Sequence, residues 1–297
     1  MGIRAGIHIL PVHYYSPVPN ILELQETKSV WAKKSELPGV TIDLDEQSSN
    51  LTSICLPYQR EYAGNQVYRQ AITGQFGPGF GYIEAQALHG VLRCFKPARV
   101  IEVGSGASTW CTLAALEMNR RETGRAAQIT CIEPYPSERL RALPQIALIA
   151  RQVQSVPFQL FTQLGEGDLL FIDSSHMVKP GSDVNYLILE VVPRLQHGVM
   201  VHFHDIYLPY DYPPDTLQTF VHGTETSLLR AFLMFNNRVK ILFCLSHLHY
   251  DRRDILAKVF PEYDPQSAVD GLRDGKYKPF ENPRQHFPAS IYVRIQG

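Results

Sequence analysis

Four short groups in this chain have the residue types and spacing that chemistry needs. They are Glu102 with Gly104, Ser105 and Gly106; Glu133; Asp173 with Ser174, Ser175 and His176; and His204 with Asp205. Each group ends an apolar run of strand length. A carboxylate in the position of Glu133 can take both hydroxyls of a ribose in a bidentate hydrogen bond. A Gly-Ser-Gly turn lets backbone N–H groups approach a ligand closely. Asp173, His204 and Asp205 are also metal-ligand types. His176 lies three residues beyond Asp173 and carries a group that titrates near neutral pH. Taken singly, each is an ordinary loop residue, so their meaning depends on whether the fold gathers them.

The glycine turn sits inside Arg99–Ala114, RVIEVGSGASTWCTLA. Val100, Ile101 and Val103 predict a strand covered on both faces, and the residues from Ala107 onward predict a helix. Further strands are expected at 129–134, 146–153, 168–173, 198–205, 239–245 and 290–295. Helices are expected at 82–95, 136–143, 156–164, 184–195 and 224–235, the last with Thr224 as its cap. Repeated strand–helix units indicate an α/β, doubly wound, mostly parallel sheet. The last two strands lack a regular crossover helix between them, which predicts an antiparallel ending. Parallel strands bring their carboxyl ends to one edge, so Glu102, Glu133, Asp173, His204 and Asp205 should converge there.

Residues 1–75 show no clean period and read as an irregular N-terminal cap. Residues 76–297 read as the main domain, with a substrate-side insert at 247–288 rich in prolines, aromatics and charged helix-like pieces. In the cap, HYYSPVPN offers rings that either staple the loop to the body or form a substrate wall. The chain has 297 residues, 44% of them hydrophobic, and a formal net charge of -1. Near-neutral charge argues against a broad nucleic-acid surface. No run of roughly 18 apolar residues is present, so no membrane span is expected. The first residues do not read as a signal peptide. Five scattered cysteines without a CxxC predict reduced thiols and a cytoplasmic protein. A homodimer is left open.

Both NAD and S-adenosylmethionine would use a glycine turn followed by a strand-ending acid. Here Thr109 stands where a dinucleotide fingerprint has its third glycine. Glu102 would repel a pyrophosphate but suits the ammonium of an amino-acid ligand. These two residues favour S-adenosylmethionine.

EVGSGAST, the IEP turn, FIDSSH and HFHDIYLPYDYP together resemble the class I S-adenosylmethionine-dependent methyltransferases. Within them the chain is similar to the bacterial branch with an IDxxH motif after strand four and an HD motif after strand five. The similarity covers roughly residues 80–246 and 289–297. The resemblance implies a seven-stranded Rossmann-like sheet whose last strand is antiparallel. It implies a methionine subsite at Glu102, Gly104, Ser105, Gly106, Ser108 and Asp173, a ribose contact at Glu133 and an adenine contact at Gln154. His176 is the first choice for the base and His204 the second. Related O-methyltransferases hold a divalent cation such as magnesium at these strand ends, which here means Asp173, His204 and Asp205. One expected oxygen ligand is then an imidazole. Tyr207, Tyr210, Tyr212, His249, Tyr250 and Tyr14 are the candidate substrate wall, or else a packed lid. The expected activity is methylation of a small molecule at a hydroxyl of a sugar or secondary metabolite. N-methylation is the alternative, and an NAD-binding oxidoreductase or a non-catalytic cofactor-binding protein are alternatives of another class.

Overall fold

The computed structural model describes residues 11–77, 79–264, 270–273 and 286–297. The first ten residues and, within the insert at 247–288, residues 265–269 and 274–285 lie outside the described residues. Helices α1 (Ile21–Glu26), α2 (Lys28–Trp31), α3 (Leu44–Cys55), α4 (Gln59–Tyr62), α5 (Gln66–Thr73) and α6 (Tyr82–Phe95) precede the sheet. Then come β1 (Arg99–Val103), α7 (Ala107–Thr123), β2 (Gln128–Ile132), α8 (Glu138–Arg141), β3 (Ala147–Ile149) and β4 (Leu169–Ile172). The second half holds α9 (Asp183–Asn185), β5 (Met200–Phe203), α10 (Glu225–Leu233), β6 (Val239–Cys244), α11 (Leu245–Asp251), α12 (Arg253–Val259) and β7 (Ile291–Ile295).

The seven strands form one sheet in the order β3-β2-β1-β4-β5-β7-β6. β1 to β5 pair in parallel, whereas β7 runs antiparallel to both β5 and β6. The order reverses between β1 and β4, and a ligand crevice opens above such a switch point. The doubly wound sheet with an antiparallel final strand is as the patterning predicts. Apolar layers cover both faces. Leu88, Leu92, Val100 and Leu169 pack on one side, and Ile101, Val103, Ile172 and Leu187 pack on the other. Because strand side chains alternate, β1 sends Glu102 to the face of Val100 and away from that of Val103.

The irregular reading of the N-terminal segment is corrected. Asp43 caps α3 by accepting from the Asp45 and Glu46 amides, and Leu51, Ile54 and Cys55 join the core beside α6. Tyr68 and Ala71 of α5 join the same core beside α7. The buried face of α3 also carries Gln47 and Ser48, which hides its period from a hydropathy reading. Two expected helices are shorter or irregular. Residues 158–163 form only a 3-10 turn. The predicted 184–195 helix is α9 followed by a π-turn and a 3-10 turn at Val192–Arg194. Pro193 has no N–H to continue the α ladder. All five cysteines are free, four of them buried and Cys94 exposed. No helix among the described residues is long and apolar enough to cross a membrane.

Candidate active site

At the end of β1 the chain turns through Gly104 with φ at +77°. A Cβ there would lie 1.8 Å from the Asp173 carbonyl oxygen. The turn is tied on both sides: Gly104 N–H donates to the Ile132 carbonyl (3.0 Å) and Asp173 N–H to that of Val103 (2.8 Å). Strands β1, β2 and β4 therefore meet at one point, and only glycine fits there. Glu133, just beyond β2, accepts from the amides of Ser105 (3.2 Å) and Tyr135 (2.8 Å). One oxygen is thus anchored to each neighbouring loop, and lone pairs on both remain for a ligand.

Two cavities adjoin this turn and share Gly104, Glu133 and Asp173. The larger, 520 Å³, is bounded by Ile132, Tyr135, Val153, Gln154 and Lys179. The smaller, 220 Å³, lies over the start of α7 and is bounded by Phe76, Phe80, Ser105, Gly106 and Ser108. The predicted Gly104, Ser105, Gly106, Ser108, Glu133, Gln154 and Asp173 are thus gathered along one trough. Glu102 is not among them. It is fully buried beneath the turn and accepts from the Ser108 hydroxyl at 2.5 Å. Burial pushes its carboxyl up to about 8, against the lowering effect of Ser108 and Thr109. The direct ammonium contact expected for Glu102 is corrected accordingly: its strand parity points it under α7.

Asp173 also belongs to a second cluster. Its Oδ1 lies 3.3 Å from His176 Nε2 and 3.3 Å from His204 Nδ1. Asp205 approaches the same two nitrogens, at 3.4 Å and 3.7 Å. His176 and Asp205 both adopt left-handed backbone, with φ of +59° and +55°. Such conformations are unfavourable for these residue types and persist where the surroundings enforce them. The His176 carbonyl accepts from the Thr224 (2.7 Å) and Glu225 (3.2 Å) amides at the start of α10. The Thr224 side chain accepts from Val178 N–H (2.8 Å) and makes no cap bond within its own helix, which corrects the expected capping role.

Two functional residues escape the sequence reading. Glu225, 1% exposed, accepts from His176 Nδ1 at 2.8 Å and from the Ser174 hydroxyl at 2.9 Å. Glu84, also 1% exposed, accepts from His204 Nε2 at 3.0 Å and from the Ala289 amide at 3.1 Å. Glu84 lies 120 positions from His204 and Glu225 lies 49 from His176, so no local pattern signals either contact. Burial would lower both imidazoles. The facing carboxylates outweigh it and hold His176 and His204 well above the usual histidine range. Burial would raise Asp173, and the two histidines outweigh it and keep that carboxyl below its ordinary range. Both nitrogens of His176 already face carboxylates, Nδ1 that of Glu225 and Nε2 those of Asp173 and Asp205. The expected metal set is altered. Among the described residues, the compact set of ligand atoms is Asp173, His176 and His204, all within 4.8 Å of one another, with His176 in the place given to Asp205.

Of the expected substrate wall, Tyr207 reaches the cluster and donates to Asp205 at 2.9 Å. Tyr210, Tyr212, Tyr250 and His249 instead pack on one another, on Trp31 and on Phe287. None of them borders either cavity of the trough, and they form an aromatic cluster beside it. Tyr14 is 95% exposed and lies on no cavity wall of the trough. His202 stacks between Phe171 (4.4 Å) and Tyr292 (4.1 Å), and its ring nitrogens have no hydrogen-bond partner among the described residues.

His249 carries a testable consequence of this packing. Burial, assisted by Arg253, lowers its pKa from 6.5 to about 3. Above pH 6.5 it is neutral in the folded and the unfolded chain alike. Below that, the unfolded chain binds a proton that the fold refuses. Stability is therefore lost as pH falls from 6.5 toward 3, by up to about 1.4 kcal/mol per pH unit. In urea unfolding at stepped pH, His249→Gln should show a shallower slope than the parent over this window. Equal slopes would contradict the assignment.

A family model matches the central part of the chain. Residues 101–206 match the family described as Methyltransferase domain. The match runs from β1 through the end of β5 and includes Gly104, Glu133, Asp173, His176, His204 and Asp205. A relative from Archaeoglobus fulgidus, named only as an uncharacterized protein, is 29% identical over 168 residues, covering 52% of this chain and 73% of the relative. Among solved structures, a candidate methyltransferase from Thermobifida fusca YX aligns over 90% of this chain and 97% of its own, at 10% identity and a TM-score of 0.42. A candidate protein-L-isoaspartate O-methyltransferase from Plasmodium falciparum, in complex with S-adenosyl-L-homocysteine, covers 53% of this chain and 83% of its own, at 11% identity and a TM-score of 0.29. Likeness at these scores carries no argument about the activity of this chain.

Proposed function

We propose that the protein is an S-adenosylmethionine-dependent methyltransferase that acts on a small molecule, at a hydroxyl of a sugar or secondary metabolite. One observation carries this reading. The trough that would take the cofactor and the cluster that would handle the acceptor's proton meet at Asp173, which borders both cavities and faces both histidines. The adenosine half fits the 520 Å³ cavity, where Glu133 would take the ribose hydroxyls and Gln154 would lie beside the base. The methionine half fits the 220 Å³ cavity over the start of α7. The sulfonium then lies beside Asp173, a carboxylate that the two histidines keep ionised.

The donor supplies an electrophilic methyl group, and the protein supplies alignment and proton removal. Holding a nucleophile in line with that methyl is worth at most about 7–11 kcal/mol. A positioned base adds roughly 100- to 10,000-fold. Asp205 is the base in this reading, because both nitrogens of His176 already face carboxylates. Tyr207, which donates to Asp205, would orient that carboxylate toward the acceptor. N-methylation is the second reading. It is favoured by the charge of the cluster, where four carboxylates, Glu84, Asp173, Asp205 and Glu225, face His176 and His204. Such a site would attract an ammonium.

Transfer of a labelled methyl group to a panel of sugars, secondary-metabolite alcohols and small amines tests the proposal. Label should appear in a hydroxyl acceptor. Label confined to amines would favour the second reading, and none from any acceptor with active control enzymes would contradict both.

A further inference from the structure

We infer that Asp173, His176 and His204 form a site for a first-row transition-metal dication of the manganese, iron, cobalt or zinc class, with Glu84 and Glu225 as its outer supports. The resemblance to O-methyltransferases implies magnesium held by oxygen ligands, and the residues present do not fit that ion. Magnesium demands octahedral oxygen coordination and is poorly served by two imidazoles. Imidazole with carboxylate suits the later first-row ions, and two histidines with one carboxylate are a recurrent facial set for them.

Three observations point to a metal and not merely to an ion-paired cluster. First, the three ligand atoms already lie within 4.8 Å of one another. Second, each imidazole presents one nitrogen to the cluster and bonds the other to a buried carboxylate. His176 Nδ1 meets Glu225 at 2.8 Å, and His204 Nε2 meets Glu84 at 3.0 Å. In metal sites that outer carboxylate fixes the tautomer and strengthens the ligand nitrogen. Two independent elements, α6 and α10, supply the same device to two histidines that face one spot. Third, His204 is 2% exposed, and its Nδ1, aimed at that spot, has no hydrogen-bond partner among the described residues. It faces the Asp173 and Asp205 carboxylates at 3.3 Å and 3.7 Å without a directed hydrogen bond, a loose pairing that a metal ion between them would replace.

The charges agree. Four carboxylates, Glu84, Asp173, Asp205 and Glu225, surround the two imidazoles. On binding, the dication takes the place of the proton on each ligating nitrogen, and those protons leave to solvent. Asp205, 3.4 Å and 3.7 Å from the ligating nitrogens, is then placed to take a fourth position or to hold a metal-bound water. When bound, such an ion lowers the pKa of a coordinated hydroxyl.

The test uses the full chain stripped with a chelator and titrated calorimetrically with Co²⁺ and with Mg²⁺, while visible d–d absorption reports the Co²⁺ ligand set. Stoichiometric Co²⁺ binding, much tighter than that of Mg²⁺, is expected. His176→Ala should weaken Co²⁺ by about 100-fold or more, and Glu225→Gln and Glu84→Gln by about 10- to 100-fold. His204 is deeply buried, so His176→Asn, on a loop, is the second ligand variant in case His204→Ala does not fold. No stoichiometric Co²⁺ binding, equal affinity for Mg²⁺, or affinity unchanged in both His176 variants would overturn the inference. S-adenosylhomocysteine titrated into the stripped protein separates this from the function proposed above. Cofactor binding without metal binding defeats the metal site alone, and metal binding without cofactor binding defeats the methyltransferase reading alone.

Discussion

Gly104→Ala should abolish measurable S-adenosylhomocysteine binding and lower the unfolding free energy by about 3 kcal/mol or more. The added Cβ would lie 1.8 Å from the Asp173 carbonyl oxygen, which is backbone and cannot rotate away. The φ of +77° adds a left-handed penalty of about 1–2 kcal/mol. Relief requires separating β1 from β4, against the bonds that tie Gly104 to Ile132 and Asp173 to Val103. That movement displaces Asp173 and Glu133 together, so both cavities lose a wall. Gly106→Ala is the control. Its φ of -173° is ordinary extended backbone, and its Cβ would meet the Phe76 carbonyl at 2.9 Å, a milder clash than the 1.8 Å at Gly104, so its losses should be smaller. Denaturant unfolding and calorimetry check both variants. Parent-like stability and cofactor affinity in Gly104→Ala would show that the turn is not packed as described.

Asp173→Asn should cut methyl transfer by about 1,000-fold while the protein stays folded. The change conserves shape and removes one charge. It takes away the carboxylate that His176 and His204 both face at 3.3 Å and that borders both cavities of the trough. The loss should fall mainly on kcat, because Glu133 and the glycine turn remain to hold the cofactor. Single-turnover rates with saturating donor measure the step itself, and the thermal midpoint checks the fold. A kcat within about threefold of the parent would remove Asp173 from the chemistry.

Much of this arrangement is legible in the chain itself. Helix α6 spans Tyr82–Phe95 as its apolar spacing predicts. Glu133, Asp173, His204 and Asp205 meet at one sheet edge because parallel strands must place their carboxyl ends together. What could not be read depends on long-range geometry. Glu84 and Glu225 each resemble an ordinary acid in the first turn of a helix, where it favours the dipole. Their partners lie across the fold. Glu102 sits one residue out of phase with the cavity-facing positions of its strand, a parity that only sheet packing fixes. The tyrosines after β5 are chemically suited to bind a ligand, yet they find one another and Phe287 first.

Calorimetric titration of the full chain with S-adenosylhomocysteine, and in parallel with NADH, tests the central claim most directly. The account predicts saturable binding of S-adenosylhomocysteine, weakened by Glu133→Ala, and no binding of NADH. Saturable NADH binding with no heat from S-adenosylhomocysteine would contradict it.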